Sequence, residues 1–140
     1  HNELVETVDF FPTVCALLGT RVPTSVQGAD ITTMLNDRDA EGKSAVFHEY
    51  LGVKTVRTKT HKLSYGCDQF REIGELFDLE TDPCEGTNIF QNPSARDVRE
   101  DLLRRLLDWF IATQQPANFG AGSESQPYSR WLGHQSSRYE

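Results

Sequence analysis

The stretch SAVFHEYLGVKTVRTKTHKLSYG, Ser44–Gly66, decides the fold. It is rich in Val, Phe, Tyr and Thr, whose branched or aromatic side chains suit a pleated, half-buried surface. Leu51-Gly52 interrupts it, and it reads as three strands, Ala45–Tyr50, Lys54–Thr60 and His61–Tyr65. A further strand, Glu75–Leu79, follows the loop Gly66–Gly74. No connection is long enough to hold a crossover helix, so neighbouring strands must run antiparallel.

Beyond the strands the period changes. Val98, Leu102, Leu106 and Trp109, widened by Leu103 and Phe110, make one apolar stripe at helical spacing. Ser94 followed by Asp97 approximates a capping box and places a helix over about residues 95–114. Glu100 with Arg104, and Asp101 with Arg105, pair at i, i+4 on its wet side. This helix is expected to cover one face of the sheet. After Gln115 the composition turns to Gly, Ser, Gln and Pro, an extended tail over 115–140 with Tyr128, Trp131 and Tyr139 interspersed.

Ahead of the strands, Asp9 serves as N-cap and Pro12 falls in the first turn of a helix over about 9–18. Phe11, Val14, Cys15 and Leu18 form its stripe, and Gly19 supplies the left-handed residue that ends it. Two turns of stripe cannot make a core, so this helix must pack on something else. Residues 20–44 read as a linker with a short helix at Ile31–Leu35 capped by Asp30. The fold class is α+β: a small antiparallel sheet packed by a long C-terminal helix.

The 140 residues, 37% apolar and 25% charged, fit one globular domain or a piece of a larger one. A net charge of −7 without a basic stripe argues against nucleic acid as a partner. No apolar run approaches the roughly 20 residues that span a bilayer, and no basic-then-apolar leader opens the chain, so no membrane partner is expected. The chain opens on His1 and its single methionine is Met34, which suggests a truncated, cleaved or trimmed piece. Of the three cysteines, Cys15 sits on an apolar helical face and is expected to be buried. Cys67 and Cys84 are compatible with a disulfide or with free thiols.

In ELFDLETDPCEGTNIF, Glu75–Phe90, the acids Asp78, Glu80 and Asp82 alternate as in a calcium loop. Pro83 then stands where such a loop needs glycine and Ile89 where it needs a bidentate glutamate, so the stretch reads as a turn. Cys67 with Arg71 lacks a nearby base and reads as a loop cysteine. His48, Arg57, His61 and Lys62, from neighbouring strands, could gather into a cationic patch in which Arg57 holds a sulfate or carboxylate bidentately. The plainer alternative is a solvated strand face with Arg57 paired to Glu49. No metal-ligand set and no catalytic triad stands out, so the residues alone name no catalytic centre.

Four ordered blocks carry a family resemblance. Val8-Asp9-Phe10-Phe11-Pro12-Thr13-Val14 with Leu17, Leu18 and Gly19 resembles the V-D-L-x-P-T-L helix of sulfatases in the alkaline-phosphatase-like superfamily. Gln27-Gly28-Ala29-Asp30-Ile31 resembles their Q-G-x-S-L segment, with Asp30 in place of Ser. Val56-Arg57-Thr58 and His61-Lys62-Leu63 resemble V-R-T…Y-K-L, with His61 in place of Tyr. Glu75-Leu76-Phe77-Asp78-Leu79 and Asp82-Pro83-x-Glu85-x-x-Asn88 resemble the E-L-Y-D-L…D-P-x-E-x-x-N tail. Related phosphonate and phosphate monoester hydrolases share much of that tail.

The resemblance implies that residues 1–43 close a larger α/β catalytic domain, and that 44–114 form the C-terminal sulfatase subdomain. Family chemistry hydrolyses a sulfate ester with a formylglycine, made from Cys or Ser in C/S-x-P-x-R, and a calcium ion. Both are expected upstream in the parent and neither in this chain; the Cys67 stretch is not the motif, because Gln69 stands where Pro is demanded. The implied partners are the N-terminal catalytic domain and a sulfated small molecule or glycan. His48, Arg57 and His61 are the candidate substrate-binding residues, with no catalytic or metal residue assigned. A stand-alone module binding sugar or protein is the rival reading.

Overall fold

The computed structural model describes residues 2–67 and 72–113. The Cys67–Arg71 reading, the Cys67–Cys84 pairing and the tail over 115–140 lie outside the described residues; Cys84 itself is exposed and free. Two compact units divide the chain at Leu106 and Leu107.

The first unit opens with a single 3₁₀ turn, Thr7–Asp9, that runs into helix α1, Phe10–Leu17. Gly19, at φ +65°, ends α1 in the left-handed region as the sequence predicts. The stripe expected to be covered is open: Phe11 and Leu18 are exposed and Cys15 is half-buried rather than buried. Pro12 and Thr13 are the residues of α1 that are buried. The short helix α2, Thr32–Asn36, follows, with Asp30 Oδ1 accepting from the Thr32 N–H at 2.8 Å.

Strands β1 (Val46–Tyr50), β2 (Val53–Arg57), β3 (His61–Cys67) and β4 (Glu72–Asp78) form one antiparallel sheet in the order β1-β2-β3-β4. The β1–β2 hairpin closes through Leu51 at φ 45° and Gly52 at φ 82°, the two positive angles that match strand twist. β2 ends before the predicted Thr60, because the Thr58 hydroxyl accepts the His61 N–H at 2.9 Å and folds Thr58–Thr60 into a turn. Gly66 permits the sheet to close beside this hairpin; a Cβ there would sit 2.3 Å from the Gly52 carbonyl oxygen.

Period-2 alternation assigns the core. Val56, Leu63 and Leu76, each fully buried, share one face. Helix α3 spans Arg96–Thr113, and its part within the first unit lies on that side: Arg99 reaches the Phe90 carbonyl and stands 5.5 Å from the Phe90 ring, which stacks on Tyr65 of the same face. Leu102 and Leu106 of α3 are buried, as their place in the stripe predicts. The helix start differs from expectation. Asn92 caps a 3₁₀ turn, Pro93–Ala95, by accepting the Ser94 N–H at 3.0 Å, because Pro93 favours that first turn. On the wet side Glu100 pairs backward with Arg96 at 2.8 Å instead of forward with Arg104, which joins Arg105 on Asp101. Of the second unit, the described part is the end of α3, where the Thr113 hydroxyl bonds the Trp109 and Phe110 carbonyls.

Candidate functional site

The face of the sheet opposite the core carries the polar candidates. Register sets Val46 and His48 of β1 against Arg57 and Thr55 of β2, and these against Lys62 and Ser64 of β3. With Phe47 they line a depression of about 360 Å³. The Thr55 and Ser64 hydroxyls are hydrogen-bonded at 3.0 Å on its floor, and Lys62 is steadied by Glu85 at 2.5 Å. Arg57 is exposed and makes no ion pair among the described residues. The expected alternative, pairing to Glu49, does not form: Glu49 points to the other face and binds Lys54 at 2.8 Å. The Arg57 guanidinium thus shares the depression with the His48 ring and with the Lys62 ammonium, whose charge Glu85 already meets.

His61 does not join this cluster. Its register places it on the core face, where it lines a second groove of about 580 Å³ with Thr58, Lys59, Asp97, Asp101 and Arg105. Its Nδ1 lies 2.9 Å from the Thr60 hydroxyl, and Asp78 is its cross-strand partner. The Asp78 carboxyl is held below its ordinary value, chiefly by the Thr81 hydroxyl and, more weakly, by backbone N–H groups and the His61 charge.

The acidic stretch is indeed a turn. Asp78 accepts from the Glu80 and Thr81 N–H groups at 3.0 and 3.3 Å, and Asp82 from the Thr87 N–H at 2.7 Å. Asn88 accepts from the Leu76 and Phe90 N–H groups and donates to the Gly74 carbonyl, binding the turn to the edge of β4. The carboxylates of Asp78, Asp82 and Glu85 are each engaged by a donor, the last by Lys62. Among the described residues no group of three or more His, Cys, Asp or Glu could hold a metal ion.

Sequence reasoning missed a charged hub at the start of the chain. Asp9, read as an N-cap, is fully buried and accepts from the Glu6 N–H at 2.9 Å, the Ala29 N–H at 2.8 Å and Lys43 Nζ at 2.7 Å. It makes no side-chain cap to α1, because its backbone is already helical. Glu6 binds the same ammonium and accepts the Phe47 N–H of β1 at 2.8 Å. One cluster therefore ties α1, the Gln27–Ile31 loop and the edge of the sheet. Burial alone would raise the Asp9 carboxyl, but Lys43 and the two backbone donors outweigh it and hold it below its ordinary value. The loop approaches closely enough that a Cβ on Gly28 would sit 1.9 Å from the Val8 carbonyl oxygen, and Thr13 Oγ1 accepts the Ile31 N–H at 3.2 Å. The signal was present in the V-D-x-x-P-T and Q-G blocks, whose residues meet here.

Comparison with known proteins places this architecture. A sulfatase of Formosa agariphila is 26% identical over 149 residues, covering 90% of this chain and 27% of its own. An N-acetylglucosamine-6-O-sulfatase of Bacteroides thetaiotaomicron is 29% identical over 111 residues, covering 71% of this chain and 20% of its own. The chain thus spans about a quarter of the length of these relatives. A solved structure of a protein in complex with its substrate D-glucosamine-2-N,6-O-disulfate superposes with a TM-score of 0.66 at 24% identity, covering 80% of this chain and 25% of that one, a likeness of fold. Residues 1–111 match the family described as N-sulphoglucosamine sulphohydrolase, C-terminal. The chain belongs to that family, the C-terminal region of sulfatases.

Proposed function

We propose that this chain is the C-terminal part of a sulfuric ester hydrolase, giving packing support to the catalytic domain and one wall to its substrate pocket. The observation that carries the reading is the depression in which Arg57, without an ion pair among the described residues, stands with His48 and Lys62. A guanidinium matches two sulfate oxygens with two N–H donors and His48 adds a ring donor, while Lys62 stands beside them with its charge met by Glu85. In this reading His48 and Arg57 meet a sulfated small molecule or glycan, the class named for the relatives, and His61 acts separately from the groove beside α3.

Residues 1–43 close the α/β domain in this reading, 44–114 form the C-terminal subdomain and 115–140 an extended tail. The exposure of Phe10, Phe11, Leu17 and Leu18 supports it, since an apolar helix face needs a partner. In this reading formylglycine and calcium belong to the preceding domain. The chain by itself is therefore inert. The test is an assay of the purified 140-residue chain with an aryl sulfate and added calcium. No turnover above buffer is expected, and turnover would overturn the reading.

A further inference from the structure

The depression does not end at His48. Tyr50 continues the same face of β1 one pleat further on, with Val53 opposite it on β2, and its side chain is 66% exposed. Beside it, Leu51 sits at φ 45°, a left-handed conformation that suits Asn or Gly, and is 76% exposed. A strained apolar residue at an open hairpin tip gains nothing from the fold, which points to a contact outside it. At the other end of the face stand Arg57 and Lys62, four residues along the strand from the Tyr50 row, or about 13 Å. Between them lie His48 and the Thr55 and Ser64 hydroxyls.

This order of groups has a chemical counterpart. An aromatic ring with an apolar body and a polar tip packs on the C–H face of a sugar ring. The Thr55 hydroxyl and an imidazole exchange hydrogen bonds with sugar hydroxyls, while the buried Ser64 hydroxyl orients Thr55. The Arg57 guanidinium, without an ion pair among the described residues, holds a sulfate or carboxylate, and the neighbouring Lys62 ammonium is shared with Glu85. Glu75, exposed and opposite Ser64 on β4, sets a negative border on the side away from β1. The cationic end and the aromatic end are too far apart for one monosaccharide to bridge.

We propose that the Tyr50–His48–Thr55–Arg57–Lys62 strip binds an anionic oligosaccharide longer than a single sugar, with its anionic group on Arg57 and a neighbouring ring on Tyr50. This rests on the pocket-wall reading above and adds to it a second contact point that selects chain length.

The test is a titration of the 140-residue chain, followed by amide chemical shifts, with two probes. One is the monosaccharide D-glucosamine-2-N,6-O-disulfate; the other is a glycosaminoglycan tetrasaccharide carrying that unit. The tetrasaccharide is expected to bind about tenfold more tightly, the scale of one stacking contact, and to move the Tyr50 and Thr55 amides. Tyr50→Ala should remove that advantage and leave the monosaccharide unaffected. Arg57→Gln should weaken both probes by about tenfold. Both side chains are exposed, and matching thermal melts verify the fold of each variant. Equal affinity for the two probes, or an advantage that survives Tyr50→Ala, would overturn the strip, leave the pocket wall standing and assign the hairpin tip to packing against the rest of the protein. Indifference of both probes to Arg57→Gln would bring down the strip and the pocket wall together.

Discussion

Asp9 is the place to test whether the first helix and the sheet are held by charge. Asp9→Ala removes the acceptor for two backbone N–H groups and one ammonium, all within 2.9 Å of a carboxylate that is fully buried. Leaving a buried donor unmade costs about 1–3 kcal/mol. The Glu6 and Ala29 donors are only partly enclosed, so about 2 kcal/mol for the two together is the fair figure. Lys43 is 27% exposed and keeps Glu6, so its loss adds only about 1 kcal/mol, below the range for a fully buried pair. The sum, about 3 kcal/mol, corresponds to a fall of roughly 12 °C in Tm for a unit of this size. Asp9→Asn keeps one acceptor oxygen and should lose about half as much.

The pH dependence has a definite sign. The folded Asp9 carboxyl lies below its ordinary value of 3.8, so its contribution is present above that pH and is lost as pH falls through the lowered folded value. Lys43 is raised above 10.5, and its contribution is full below that pH and lost as pH rises through the folded value. Urea melts of the parent chain should therefore weaken more steeply than those of Asp9→Asn on acidification below about pH 4. If Asp9→Ala costs under about 1 kcal/mol at neutral pH, or if the acid limb is identical in both proteins, the hub is not what joins these segments.

Other substitutions probe the remaining joints. Asn88→Ala strips two N–H groups and one carbonyl of their partner at the edge of β4, and should cost about 2 kcal/mol in a denaturant melt. Leu51→Asn relieves a left-handed leucine and should raise stability by about 1 kcal/mol, read as a higher melting temperature.

The sheet was legible because the strands carry their own signals: branched and aromatic residues in short runs, separated by Leu51-Gly52 and a loop. Their ends were less so. Thr58 has the propensity of a strand residue, but its hydroxyl prefers to close a turn on His61. The same competition moved the cap of α3 from Ser94 to Asn92. At the candidate site, alternation separated His61 from His48 and Arg57, a distinction that depends on pairing register and so appears only when partners are known. The Asp9 hub was hidden for a different reason. Its members stand 20 and 34 residues apart in the chain, and a local reading of Asp9 before an apolar helix favours an N-cap.

Each outer strand of the sheet has part of its free side occupied. At β1 the Phe47 N–H is taken by the Glu6 carboxylate, and at β4 Leu76 bonds Asn88 and Ile89. A foreign strand seeking to extend the sheet would have to evict an ionised side chain at one rim or a knotted asparagine turn at the other. Polymerisation by strand exchange is thereby discouraged at both rims, so any self-association of this chain should begin on the oily surface of α1.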